Sequence, residues 1–183
     1  MAQIQVNGKH FIPYITALQI EEKIVHLAAD INAAYKNERP LFIAILNGSF
    51  MFASDLFKKL TIDAEVCFIK LASYKGTKST GHVITSIGLD ESLKGRHVIV
   101  LEDIVDTGKT LSEFLPQLRD QQPASLKIAA LLHKPDALKH DVAIDFLGFN
   151  VPDKFLLGYG LDFDGLGRNL PEIYQLVEPG EVK

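Results

Sequence analysis

The longest run of patterned apolar positions lies in "TALQIEEKIVHLAADINAAYKNERP", residues 16–40. Ile20, Ile24, Leu27, Ile31 and Ala34 recur at spacings of three and four, which places them on one face of a helix. Thr16 followed by Gln19 has the form of a capping box at its start, and Pro40 follows its end. A different pattern comes next. "LFIAIL" (41–46) is apolar at every position and is followed by Asn47-Gly48, as expected of a strand buried on both faces. "SFMFASDLFKKL" (49–60) returns to helical spacing, "AEVCFIKLA" (64–72) reads as a strand, and "RHVIVLED" (96–103) reads as another buried strand. "TLSEFLPQLRDQQ" (110–122) is helical in pattern, with Pro116 expected to kink it or limit its first turns. "SLKIAALLH" (125–133) and "KFLLGYG" (154–160) supply further strands. Strands alternating with helices predict an α/β fold, with a mostly parallel central sheet flanked by helices on both faces. Ligands bind such sheets at the carboxyl ends of the strands.

Composition narrows the class. The chain has 183 residues and shows no repeat, low-complexity tract or linker, so a single domain over 1–183 is expected. Hydrophobic residues are 47% and charged residues 23%, which suits a globular protein and argues against disorder. The formal charge of −4 gives no support for non-specific nucleic-acid binding. Cys67 is the single cysteine and cannot form an internal disulfide, so a reducing cytoplasm is the expected setting. It lies in an apolar run and reads as a small core residue. The opening "MAQIQVNGKHF" lacks a basic segment followed by an apolar core, so no signal peptide is expected. No apolar stretch reaches spanning length, and no membrane association is expected. The six histidines show no paired metal-ligand spacing, which makes zinc an unfavoured reading. "DALKHD" (136–141) reads as solvated surface.

The chemistry concentrates in "LEDIVDTGKTL", residues 101–111. Its Gly-Lys-Thr invites comparison with a triphosphate-binding loop. That loop requires a glycine five places before Gly108, where Asp103 stands beside Glu102. Two carboxylates at the mouth of an amide cradle would repel a triphosphate. In the alternative, "HVIVL" is the central strand and "EDIVDTGKT" the loop that leads from its carboxyl end into a helix. Thr107, Gly108, Lys109 and Thr110 then offer amides and hydroxyls to one phosphate group at a helix start. Glu102 and Asp103 would accept hydrogen bonds from vicinal hydroxyls such as those of a ribose. A sugar phosphate satisfies both halves of the loop, whereas a capped strand–helix turn with solvated acids is the plainer reading.

"VIVLEDIVDTGKTL" resembles the phosphoribosyl-pyrophosphate motif of the type I phosphoribosyltransferases. The resemblance continues through "LFIAILNGSFMFASDL", "SYKGTKSTG", "LLHKP" and "VPDKFLLGYGLDFDGLGRNLP", an ordered set similar to the hypoxanthine-guanine branch of that family. It implies the type I fold, with a small hood formed by the chain ends over the parallel sheet. It also implies a purine-salvage reaction. Phosphoribosyl pyrophosphate and a 6-oxopurine, hypoxanthine or guanine, would give IMP or GMP and pyrophosphate, with magnesium required.

The resemblance also implies roles. Glu102 and Asp103 would hold the ribose hydroxyls and stand near the metal, with Asp162. Asp106, Thr107, Gly108, Lys109 and Thr110 would wrap the 5'-phosphate, and Asp106 would act as acid/base near N7 of the purine. Lys134 would donate to the 6-oxo oxygen, Phe155 would stack on the base, and the backbone of Leu156 would meet its Watson–Crick edge. Read alone, Lys134 is a snorkelling surface lysine and Phe155 a core aromatic. Arg168 would clamp the pyrophosphate. Asn47 and Gly48, in "LNGS", would face the leaving group through their amides, with Leu46-Asn47 a candidate cis peptide. Many family members carry lysine where this chain has Asn47. "SYKGTKSTGH" (73–82) resembles the family's mobile flap, where Ser73 and Tyr74 would touch pyrophosphate on closure. A homo-oligomer, dimer or tetramer, is implied as well. Two other readings stay open: a transferase for another base such as xanthine or adenine, and an RNA-binding regulator that senses the same sugar phosphate. The acidic net charge and the absence of spare length weigh against the regulator.

Overall fold

A computed structural model describes residues 3–72, 84–87 and 92–177. Its larger sheet has six strands, β3 (Leu41–Leu46), β4 (Glu65–Ala72), β5 (Ile84–Ile87), β6 (His97–Val105), β7 (Ser125–His133) and β8 (Phe146–Asn150), in the order β5-β4-β3-β6-β7-β8. Neighbours from β4 to β8 are parallel, and β5 alone runs antiparallel to its neighbour β4.

The two faces of this sheet explain the apolar runs. Phe42, Ala44, Ile99 and Leu101 pack on one side, with helices α1 (Ala17–Ala34) and α2 (Phe50–Phe57). Leu41, Ile43, Val98 and Val100 pack on the other, with helix α3 (Lys109–Arg119). A strand covered on both faces has no position left for polar side chains, and every residue from Leu41 to Ile45 is buried. The capping box of α1 is present: Thr16 accepts from the Gln19 amide, and Gln19 accepts from the Thr16 amide. Such a cap stabilises a helix start by about 1 kcal/mol. Ile20, Ile24, Leu27 and Ile31 are buried as the spacing requires, but Ala34 is exposed and Tyr35 closes the stripe. Helix α3 runs through Pro116 instead of stopping there, with its apolar Leu111, Phe114, Leu115 and Leu118 buried on the sheet.

A second, antiparallel sheet draws on both chain ends: β1 (Ile4–Val6), β2 (Lys9–Ile15), β10 (Ile173–Leu176) and β9 (Leu156–Leu157), in the order β1-β2-β10-β9. It encloses its own small core of Phe11, Leu157 and Tyr174. This is the expected hood. Two boundaries differ from expectation. "KFLLGYG" is not a strand of the main sheet; Leu156–Leu157 form a short strand in the hood, before a run of positive-φ residues at 158–160. Strand β6 continues to Val105, because Ile104 and Val105 still pair with Leu132 and His133 of β7. Among the described residues, no helix is long and apolar enough to cross a membrane.

Candidate active site

Glu102 and Asp103 lie within β6, so the sheet itself holds both carboxylates. The turn that follows is short, Asp106 to Gly108, and α3 begins at Lys109. Gly108 caps that helix at φ 75°, in the left-handed region, where a β-carbon would also overlap the carbonyl of His140. Glycine meets both demands. The backbone amides of Lys139 and His140 donate to the Thr107 carbonyl at 3.0 Å, so the "DALKHD" surface segment braces the turn from behind. The result is a hollow of about 80 Å³ lined by Glu102 and residues 104–111. At its rim the amides of a helix start and the hydroxyls of Thr107 and Thr110 are at hand for an anion. The Lys109 ammonium lies outward, 3.9 Å from Glu113.

Glu102 lines this hollow and carries a buried oxygen. Its Oε2 has no hydrogen-bond partner, and burial, followed by the neighbouring Asp103 charge, raises its carboxyl well above the usual range. Asp103 is pushed up to about 6, chiefly by burial; backbone hydrogen bonds and the Arg168 charge oppose this, while Asp162 adds to it. The two acids are therefore costly as they stand, and they suit a partner that brings hydrogen-bond donors or positive charge.

Asp103 also meets the loop after β3. A β-carbon on Gly48 would overlap the Asp103 carboxylate, so only glycine allows this approach. The Leu46-Asn47 peptide is cis, Gly48 is buried, and Asn47 is exposed. Ser49 is fully buried and donates its hydroxyl to the Ile45 carbonyl, a contact that the sequence did not announce. From the hood side, Gly160 packs its backbone against the Gly48 carbonyl. Arg168 donates to the Gly160 carbonyl at 2.6 Å and pairs with Asp162 at 2.7 Å. Asp162 in turn accepts from the Gly165 amide. Asn47, Gly48, Asp103, Asp162 and Arg168 thus form one cluster from three parts of the chain.

A second cluster surrounds Lys134. This lysine is buried, not snorkelling, and its Nζ stands 3.1 Å from Asp106 Oδ2 and 3.4 Å from Asp153 Oδ1. Asp153, in "VPDKF", has no sequence signal that marks it as a partner of Lys134. Phe155, two residues on, is 43% exposed rather than in the core. Its ring is fixed edge-on to Phe163, with centroids 5.5 Å apart, and near Phe11 at 6.3 Å. An exposed aromatic held by two others is a ready stacking surface. Leu156 is buried and pairs with Gln175. Ser73, Tyr74 and the segment 73–82 lie outside the described residues.

The site thus combines a strand with two buried acids, a short turn at a helix start and a hood at the carboxyl end of a parallel sheet. The family model for the phosphoribosyl transferase domain matches residues 15–164. The chain is 42% identical over 160 residues to the hypoxanthine-guanine-xanthine phosphoribosyltransferase of Tritrichomonas foetus, covering 87% of each chain. It is 40% identical to the hypoxanthine-guanine phosphoribosyltransferase of Bacillus subtilis, covering 87% of this chain and 89% of that one. A crystal structure of a hypoxanthine phosphoribosyltransferase from Staphylococcus aureus superposes with a TM-score of 0.86 at 36% identity, covering 91% of both chains. The chain belongs to the type I phosphoribosyltransferase family, and within it to the hypoxanthine and hypoxanthine-guanine enzymes.

Proposed function

We propose that this enzyme transfers the 5-phosphoribosyl group from phosphoribosyl pyrophosphate to N9 of hypoxanthine or guanine, giving IMP or GMP and pyrophosphate, in purine salvage. The observation that carries the choice of base is the buried Lys134 ammonium, set 3.1 Å from Asp106. An ammonium has donors only, so it favours a 6-oxo acceptor over a 6-amino group.

The remaining roles follow from the clusters. The amides and hydroxyls of residues 106–110 hold the 5'-phosphate in the hollow. Glu102 and Asp103 accept from the ribose hydroxyls. Phe155 stacks on the purine, and the Leu156 backbone faces its edge. Asp106, with one oxygen toward Lys134 and its side chain half exposed, exchanges a proton at N7 as the glycosidic bond forms. Arg168 and the amides of Asn47 and Gly48 bind the departing pyrophosphate, where a planar guanidinium suits two oxygens. Ser73 and Tyr74 belong to the same reading as flap residues that exclude water.

The donor set also fits magnesium. The Asp162 charge lies close enough to raise the Asp103 carboxyl, and Glu102 adds an unpaired carboxylate oxygen. Among the described residues, no three His, Cys, Asp or Glu side chains converge to hold a metal unaided. Magnesium is commonly held by one or two carboxylates together with substrate phosphates and water. Asp162, with Glu102 and Asp103, would hold it here, and it would supply positive charge to the pyrophosphate. A homo-oligomer, a dimer or tetramer, in a reducing cytoplasm completes the reading; light scattering of the purified protein tests the first of these.

The function is tested by incubating the protein with phosphoribosyl pyrophosphate, magnesium and hypoxanthine or guanine. Formation of the nucleoside monophosphate with equimolar pyrophosphate supports it. No product from either base would contradict it.

A further inference from the structure

We propose that Asp153 is a positioning residue for base recognition, holding the Lys134 ammonium away from full engagement with Asp106; this rests on the base-binding role given to Lys134 above. The side chain of Lys134 is only 9% exposed and has two carboxylate neighbours, Asp106 Oδ2 at 3.1 Å and Asp153 Oδ1 at 3.4 Å. An ammonium carries three donors. Two are directed at these carboxylates, and the third remains for an acceptor on the base.

The two aspartates come from different elements, which gives the ammonium two fixed anchors. Asp106 follows β6, and the Lys134 amide donates to the Val105 carbonyl at 2.9 Å, so this side of the pair is tied to the sheet. Asp153 lies between β8 and β9. Its loop is secured by the Val151 amide on the His133 carbonyl at 2.8 Å and by the Lys154 amide on the Pro152 carbonyl. The same loop carries Phe155. One short segment therefore sets both the stacking plate and the second carboxylate. With Asp106 as its only partner, a buried ammonium would settle on that carboxylate, because opposite charges attract strongly where water is scarce. Lys134 would then turn from the base, and Asp106 would lose an oxygen needed at N7. Asp153 prevents both by sharing the charge.

The test compares Asp153→Ala and Asp153→Asn with the unmutated enzyme, reading KM for hypoxanthine, KM for phosphoribosyl pyrophosphate and kcat separately. The Asp153 side chain is 61% exposed, so its truncation leaves the core intact. Asp153→Ala is expected to lower kcat/KM for hypoxanthine roughly tenfold, the usual scale for a lost partner of a charged group, while KM for phosphoribosyl pyrophosphate stays within about twofold. Asp153→Asn keeps an acceptor oxygen and should recover part of the loss; it carries the test if the alanine variant melts early. Unchanged kcat/KM for hypoxanthine in both variants, or a parallel rise of both KM values, would overturn the proposal. Failure of the unmutated enzyme to use hypoxanthine would instead bring down the functional reading beneath it.

Discussion

Tyr159 donates its phenol hydrogen to Oδ2 of Asp55 at 2.6 Å, joining residues 104 positions apart. The bond ties α2, the helix that follows the Asn47–Gly48 loop, to the hood segment that leads to Asp162 and Arg168. Burial and the Asp55 charge raise the Tyr159 phenol above its usual range. Burial alone would raise the Asp55 carboxyl too, but hydrogen bonds from Lys58 and Tyr159 outweigh it and hold Asp55 below its usual value.

Tyr159→Phe keeps the ring and removes this bond, and should destabilise the fold by about 1 kcal/mol at neutral pH. Since the folded-state value of Asp55 is depressed, its contribution is present above the unfolded value of 3.8 and is lost as pH falls through the folded one. Denaturant melts of the two proteins should therefore converge in strong acid. A deficit that does not change between neutral and strongly acid pH would mean that the phenol stabilises by packing alone.

Asp103 has the opposite sign. Its folded-state value of about 6 exceeds the usual 3.8, so between these limits the folded protein binds the extra proton. Stability from this group is then highest in acid and falls as pH rises through the window. Asp103→Asn should be more stable than the parent by about 1–3 kcal/mol at pH above 7 and equal to it near pH 4, while losing most activity. A variant less stable than its parent at pH above 7 would show that the carboxylate is satisfied within the free protein.

Asp106→Asn retains size and hydrogen bonding but cannot take up a proton as a carboxylate does. We expect kcat to fall by ~10²–10⁴ with nucleotide affinity nearly unchanged. Turnover near the parent level would assign the proton transfer to water or another group.

Occupancy of the hollow should stabilise the native state. Phosphoribosyl pyrophosphate with magnesium, or IMP, should raise Tm clearly, and ATP much less, because the turn has room for one phosphate and stands beside two carboxylates. Equal protection by ATP would restore the triphosphate reading that Glu102 and Asp103 argue against.

Much of this site is legible in the sequence because it rests on local chemistry. The 101–111 stretch encodes its own strand, turn and helix start, and the apolar runs at 41–46 and 125–133 match their strands end to end. What stayed hidden depends on distant pairing. The hood strand β2 contains Pro13 and leaves the apolar Ile12 and Tyr14 exposed, which hides its alternation, and β9 has only two residues. Strand β6 runs two residues past the expected 96–103, because Ile104 and Val105 find their partners only in β7. Lys134 and Phe155 show the same limit in opposite directions: the expected surface lysine is buried between carboxylates, and the expected core aromatic is exposed. Asp153 became visible only when the fold brought it to Lys134.

The central claim is that Lys134 makes this a 6-oxopurine enzyme, and the ratio of kcat/KM for hypoxanthine to that for adenine tests it most directly. A site built around a hydrogen-bonded acceptor rejects an analogue that leaves its donor unpaired by up to about 10⁴-fold or more. We predict a ratio of that order for the unmutated protein, and a much smaller ratio for Lys134→Met with binding of phosphoribosyl pyrophosphate preserved. Efficient adenine turnover by the unmutated protein would contradict the account.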